Sequence, residues 1–199
     1  MGQLSIFDII SSAVIAGVLM LTMLSTNARM NQVVLTGGSD VIVQENLVTI
    51  ARIMEKDLRR IGYCADPSKI QDQTRTIVVA GAHNISFLTD VNNDGVVDTL
   101  QYEVGSASSL TATPNPRDML LNRYVRGTTP KGFSVGLTRF DFTYYNSTGD
   151  TLAMPISDLS AISYLKINIR LESTHPYDSQ YQYAAWRQMR LKVRNLNSR

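Results

Sequence analysis

Residues 4–24 read LSIFDIISSAVIAGVLMLTML, an apolar run whose only charge is Asp8. As a helix it would reach roughly 31 Å at about 1.5 Å per residue, which matches a bilayer's hydrocarbon core of about 30 Å. A cleaved secretory signal would carry basic residues ahead of the run and a small-residue cleavage site after it. No Lys or Arg precedes this run, and Leu24-Ser25-Thr26-Asn27-Ala28-Arg29 makes a poor site. The run therefore reads as a retained single-pass membrane helix. Residues 1–38 are expected to form a transmembrane or filament-core helix, and residues 39–199 a globular domain.

Asp8 sits near one end of the run, where a carboxylate costs less than at the centre of a bilayer. Two readings stand for it: an acid at headgroup level, or a partner for a positive group on a neighbouring chain. Ser11, Ser12, Ala13, Ala16 and Gly17 supply small side chains that let helices approach closely.

Beyond the run the chain is ordinary globular material, 44% hydrophobic and 18% charged, enough for a sizeable core. Nineteen basic against seventeen acidic residues give +2, which argues against charge-driven nucleic-acid binding. Cys64 is the one cysteine, which excludes a disulfide framework and a multi-cysteine zinc site. His83 and His175 lie far apart with no nucleophile at motif spacing, so an enzyme is not expected. The basic residues Arg187, Arg190, Lys192, Arg194 and Arg199 read as a solvated sheet face, the alternative being a contact with acidic subunits or polyanions.

Gly37-Gly38-Ser39-Asp40 is expected to interrupt the helix, since each interior glycine costs about 1 kcal/mol. From Val43 the apolar residues fall at Val43, Leu47, Ile50, Met54, Leu58 and Ile61, one face of an amphipathic helix over 39–62 closed by Gly62. That face needs a sheet to bury it. Short apolar or alternating runs at 76–80, 84–88, 99–104, 119–126, 137–145, 162–171 and 186–193 supply the strands, within a sheet over 75–195. Residues 106–113 and 174–183 read as loops. The fold class is α+β: one long N-terminal helix packed on an antiparallel sheet.

Asp90, Asn92 and Asp94 place oxygen side chains at alternate positions, Gly95 permits a sharp turn, and Asp98 follows. This is the start of an EF-hand-like loop, which wraps a hard cation such as calcium. Gln101 stands where the bidentate Glu should be, and the flanks read as strands. A plain polar hairpin turn built for backbone reasons is the competing reading.

Taken in order, these segments resemble the type IV pilin-like proteins, closest to the PilW-type minor pilins and the J pseudopilins of type II secretion. The resemblance rests on an apolar helix continuing into an amphipathic one without a linker, and on its end at Asp57-Leu58-Arg59-Arg60-Ile61-Gly62-Tyr63. It rests also on the hairpin over 85–104 and on a terminal strand at 186–195 with a basic end. It implies cleavage by a prepilin peptidase behind Gly2, leaving Gln3 at the new N-terminus, and insertion through an assembly platform. Asp8 then corresponds to the family's acid, which meets the N-terminal amine of a neighbouring subunit. The sequence departs from the pattern in carrying Asp rather than Glu, one position late, and no basic leader.

The expected function is a structural subunit that packs its helix with those of other pilin-like subunits to build or prime a pilus-like or secretion filament. Its globular domain would be periplasmic or extracellular. The alternative is a single-span anchored β-domain acting as a surface or periplasmic binding module.

Overall fold

The computed structural model describes residues 6–106, 113–175, 181 and 183–192, with side chains described through 186 other than 35, 36 and 131. The opening element is one α-helix, α1 (Ile6–Leu58), continuous through Gly37 and Gly38. The expected interruption there is absent. Once a helix is nucleated each further residue gains a hydrogen bond, and strong helix on both sides offsets the cost of two glycines. By its contacts the chain forms two compact units, Met1–Ser39 and Asp40–Arg199.

In the first unit, α1 exposes its apolar side chains all round, from Ile6 and Phe7 to Val33 and Val34. By length and composition it could cross a membrane. Its hydroxyls suit an apolar setting. Ser12 donates to the Ile9 carbonyl at 2.9 Å, Thr22 to Leu19 at 2.8 Å, and Ser25 to Thr22 at 2.9 Å. These three hydroxyls are thus satisfied within the helix, as a water-free environment requires.

In the second unit, α1 buries the stripe Val43, Leu47, Ile50, Met54 and Leu58, and Ile61 just beyond it is buried too. The α-helix stops at Leu58, four residues before the expected end. Tight bonds follow, Arg60 N–H to the Asp57 carbonyl at 3.0 Å and Ile61 N–H to Leu58 at 3.3 Å. Gly62 takes a left-handed φ of 72°. Its N–H, however, donates to the Leu88 carbonyl at 2.8 Å, so this glycine ties the chain to the sheet rather than capping the helix.

The sheet has seven strands in sequential, fully antiparallel order: β1 (Ile77–Ala80), β2 (Asn84–Thr89), β3 (Asp98–Val104), β4 (Met119–Val125), β5 (Lys131–Tyr145), β6 (Tyr164–Glu172) and β7 (Tyr183–Lys192). Every expected strand is present. β5 begins six residues early and β7 three, because pairing with a neighbour extends a strand beyond its alternating core. Alternation decides which faces turn inward. Phe140, Phe142 and Tyr144 of β5 are buried, as are Leu165, Ile167, Ile169 and Leu171 of β6. The rings of Phe140 and Phe142 pack edge to face at 5.0 Å.

Three short 3-10 turns, Pro67–Lys69, Gln73–Arg75 and Leu159–Ala161, escaped the sequence reading. Each is capped by an aspartate, Asp66, Asp72 or Asp158, accepting from the N–H of a Ser or Thr two residues on. A D-x-[S/T] spacing was the available signal.

Candidate functional site

Gly2 and Gln3 lie outside the described residues. Asp8 stands in the first turn of α1, on the exposed helix surface of the first unit. Ser11, Ser12, Ala13, Ala16 and Gly17 are exposed beside it, and a Cβ built on Gly17 would meet nothing within 4 Å. This segment carries an acid and several small residues on one exposed helix.

The 90–98 segment is the turn of the β2–β3 hairpin. Asp90 is fully buried, and its two carboxylate oxygens are taken up by backbone amides. One accepts from Asn93 at 2.6 Å and Asp94 at 3.2 Å, the other from Ala65 at 3.1 Å and Gly95 at 3.0 Å. Asp98 accepts from the Val91 N–H at 3.0 Å, and Asp94 from the Val96 N–H at 2.8 Å. Asn92 donates to Asp94 at 2.9 Å.

Arg60, just past α1, reaches over the loop. It donates to the Asp90 carbonyl, to the Val91 carbonyl at 3.2 Å and to the Asn93 side-chain oxygen at 2.6 Å. A guanidinium thus lies against the carbonyl oxygens of Asp90 and Val91 and the side-chain oxygen of Asn93. Among the described residues no three His, Cys, Asp or Glu side chains are grouped to hold a metal ion. Asn93 and Gly95 hold left-handed φ of 64° and 80°, the backbone reversal such a turn needs.

Burial alone would push the Asp90 carboxyl up, but its backbone donors outweigh that and hold it below the usual carboxylate range. A carboxyl depressed in the folded state contributes stability above its unfolded value, and that stability is lost as pH falls through the folded value. Asp90→Asn is expected to lower the melting temperature at neutral pH and to flatten the acid limb below about pH 4. Thermal melts across that range check it; an unchanged acid limb would place the titration elsewhere.

A second cluster was not anticipated. Asp57, in the last turn of α1, is buried and takes a hydrogen bond from the Tyr102 hydroxyl of β3. It also pairs with Nε of Arg123 in β4 at 2.7 Å. Tyr102 and Arg123 are register partners on adjacent strands, so the sheet sets them side by side under the helix. Arg123 Nε also donates to the Tyr102 hydroxyl at 3.1 Å. Burial, and then the Asp57 charge, push the Tyr102 hydroxyl far above its ordinary pKa, so it is a hydrogen-bond donor at any physiological pH. The signal in the sequence was position: Asp57 follows Ile50 by seven and Met54 by three, placing a carboxylate on the apolar face.

Beside this cluster lies an apolar groove of about 280 Å³ between α1 and strands β3–β5, lined among others by Ile53, Leu121, Arg123, Phe133 and Val135. The other reactive side chains stand apart. His83 bonds the Phe140 carbonyl at 2.8 Å and lies 3.4 Å from Asp141. His175 is exposed, and Cys64 is buried 3.9 Å from Asp90. Side chains of the basic C-terminal residues from Arg187 onward lie outside the described residues.

Residues 39–191 match the protein family described as prepilin peptidase-dependent protein B. No curated protein and no solved structure matches the chain significantly.

Proposed function

The chain belongs to the prepilin peptidase-dependent protein B family, and from that premise we propose that it is a non-catalytic structural subunit, a minor pilin or pseudopilin. Its apolar helix holds it in the membrane, with the globular unit on the periplasmic or extracellular side. The same helix then packs among those of other pilin-like subunits in a pilus-like or type II secretion filament. The observation that supports this best is α1 itself, one helix that is apolar and exposed over its first unit and amphipathic where it packs on the sheet. A solitary anchor would need no such continuity and is ordinarily joined to its domain by a flexible linker.

Within this reading a prepilin peptidase cuts between Gly2 and Gln3, and Asp8 meets the new amine of a neighbour. Paired, the two charges avoid the cost each would carry alone in an apolar core. The test takes the full chain in a host with the assembly machinery. Wild type is expected in the membrane fraction and in sheared filaments, with an N-terminus at Gln3 by mass spectrometry. Asp8→Asn should insert equally well but assemble at least about tenfold less, a loss of about 1.4 kcal/mol or more per contact. An intact Met1 on assembled protein, with Asp8→Asn at wild-type levels, would favour the anchored binding module instead.

A further inference from the structure

Alternation sorts the charges of β5–β7 by face. Phe140, Phe142 and Tyr144 of β5 fill the core together with Leu165, Ile167 and Ile169 of β6. Arg139 and Asp141 of β5 and Lys166 and Arg170 of β6 therefore stand on the outer face, with Arg139 opposite Arg170 in the register. The pattern continues onto β7. Arg187 stands opposite Asn168 and Lys192 opposite Tyr164, while Arg190 falls beside Lys166 where the β6–β7 register shifts. Five basic positions thus share one face, and a sixth sits in its bulge, within about 20 Å along the strands and about 10 Å across them.

Two carboxylates share this surface. Asp141 pairs with Arg139 and lies 3.4 Å from His83. Glu172 is held between Arg170 at 3.2 Å and Arg117 at 2.7 Å. The face keeps a clear positive excess, and the rest of the chain, with nineteen basic and seventeen acidic residues in all, is net negative. A whole-chain charge of +2 averages over that asymmetry. Neighbouring cations lie within one Debye length, about 10 Å at 0.1 M salt, so they act together on whatever approaches. Arg139 and Arg170 keep 66% and 43% of their side-chain surface in water.

A protein partner ordinarily buries an apolar patch at the centre of its contact. Among the described residues at 139–145 and 164–170, no large apolar side chain is exposed. Four of the six cations are arginines, whose forked guanidinium takes phosphate oxygens in pairs. We propose that the outer face of β5–β7 binds the phosphate backbone of a nucleic-acid strand, an activity that goes beyond the filament reading and does not depend on it. Contacts to phosphate hold a strand in place without reading its sequence.

The full chain in a mild non-ionic detergent is titrated with a labelled oligothymidylate at salt concentrations from about 0.05 to about 0.2 M. Wild type is expected to bind, with log Kd rising linearly with log salt. Lys166→Ala/Arg187→Ala should bind at least about tenfold more weakly at the low-salt end, with a salt slope lower by about 0.7 for each contact removed. Lys166→Arg/Arg187→Lys keeps both charges and should bind as wild type does. Arg52→Ala/Arg75→Ala takes the same charge from α1 and from the turn ahead of β1, and should change affinity less than about twofold. An equal loss in that control would show that net charge binds rather than this face, and overturns the proposal. Absence of saturable binding overturns it too. Displacement of the strand by polyglutamate at matched charge would assign the face to an acidic protein, which also overturns it. Each of these failures leaves the filament reading standing, since that reading is tested through Asp8.

Discussion

Asp57→Ala is expected to lower the stability of the globular unit by about 3 kcal/mol. Removing one partner of a buried ion pair costs about 3–5 kcal/mol, because the other charge is left uncompensated. The lower end applies here, since Arg123 keeps 28% of its side-chain surface in water. Tyr102 loses its acceptor in the same stroke, and its hydroxyl is too buried to turn to solvent. Asp57→Asn should fall between, since an amide oxygen still accepts from Tyr102 and Arg123 but carries no charge. Urea unfolding of the full chain in mild detergent, followed by tryptophan fluorescence, measures all three. A loss under about 1 kcal/mol for the alanine variant would mean that the helix end is held by its apolar stripe alone.

Gly136→Ala is expected to cost at least about 3 kcal/mol, and Gly127→Ala much less. Both glycines hold a left-handed φ, 76° at Gly136 and 89° at Gly127, and that conformation alone costs a side chain about 1–3 kcal/mol. The difference is what a Cβ would meet. At Gly136 it would fall 2.0 Å from the backbone oxygen of Glu172, whereas at Gly127 nothing lies within 4 Å. Glu172 cannot give way cheaply. Its backbone is in β6, and its buried carboxylate is held by Arg117 at 2.7 Å and Arg170 at 3.2 Å. Gly136 lies in the irregular stretch of β5 between Phe133 and Leu137, where the β4–β5 register shifts, and directly precedes Leu137, from which the β5–β6 register shifts. Equal losses at the two glycines would show that the backbone contact relaxes and only φ matters.

Much of the fold rests on patterns that are local in sequence. The largely apolar run over 4–24 sets a helix that is exposed from Ile6 on, because a helix apolar all round cannot turn a single face to a small domain's core. The stripe from Val43 to Ile61 and the alternation of the strands decide which faces turn inward, since helix and strand periods are backbone geometry. The hairpin turn at 90–95 was legible for the same reason. Asx side chains and glycine set such a turn from within four or five residues.

Other features depended on chain segments that meet only after folding. Gly37 and Gly38 read as a break because local propensity is a weak prior, and helix on both sides outweighs it. Gly62 read as a cap, but its N–H is claimed by Leu88 of β2, twenty-six residues on. Asp90 resembled a cation ligand in sequence, yet the fold turns it inward to backbone amides and sets Arg60 over the loop. Asp57, Tyr102 and Arg123 are separated by 45 and 66 residues, so nothing in the local pattern marks them as one cluster. Burial of a charge is a property of the assembled core, and its partner is chosen by strand register rather than by neighbours in the chain.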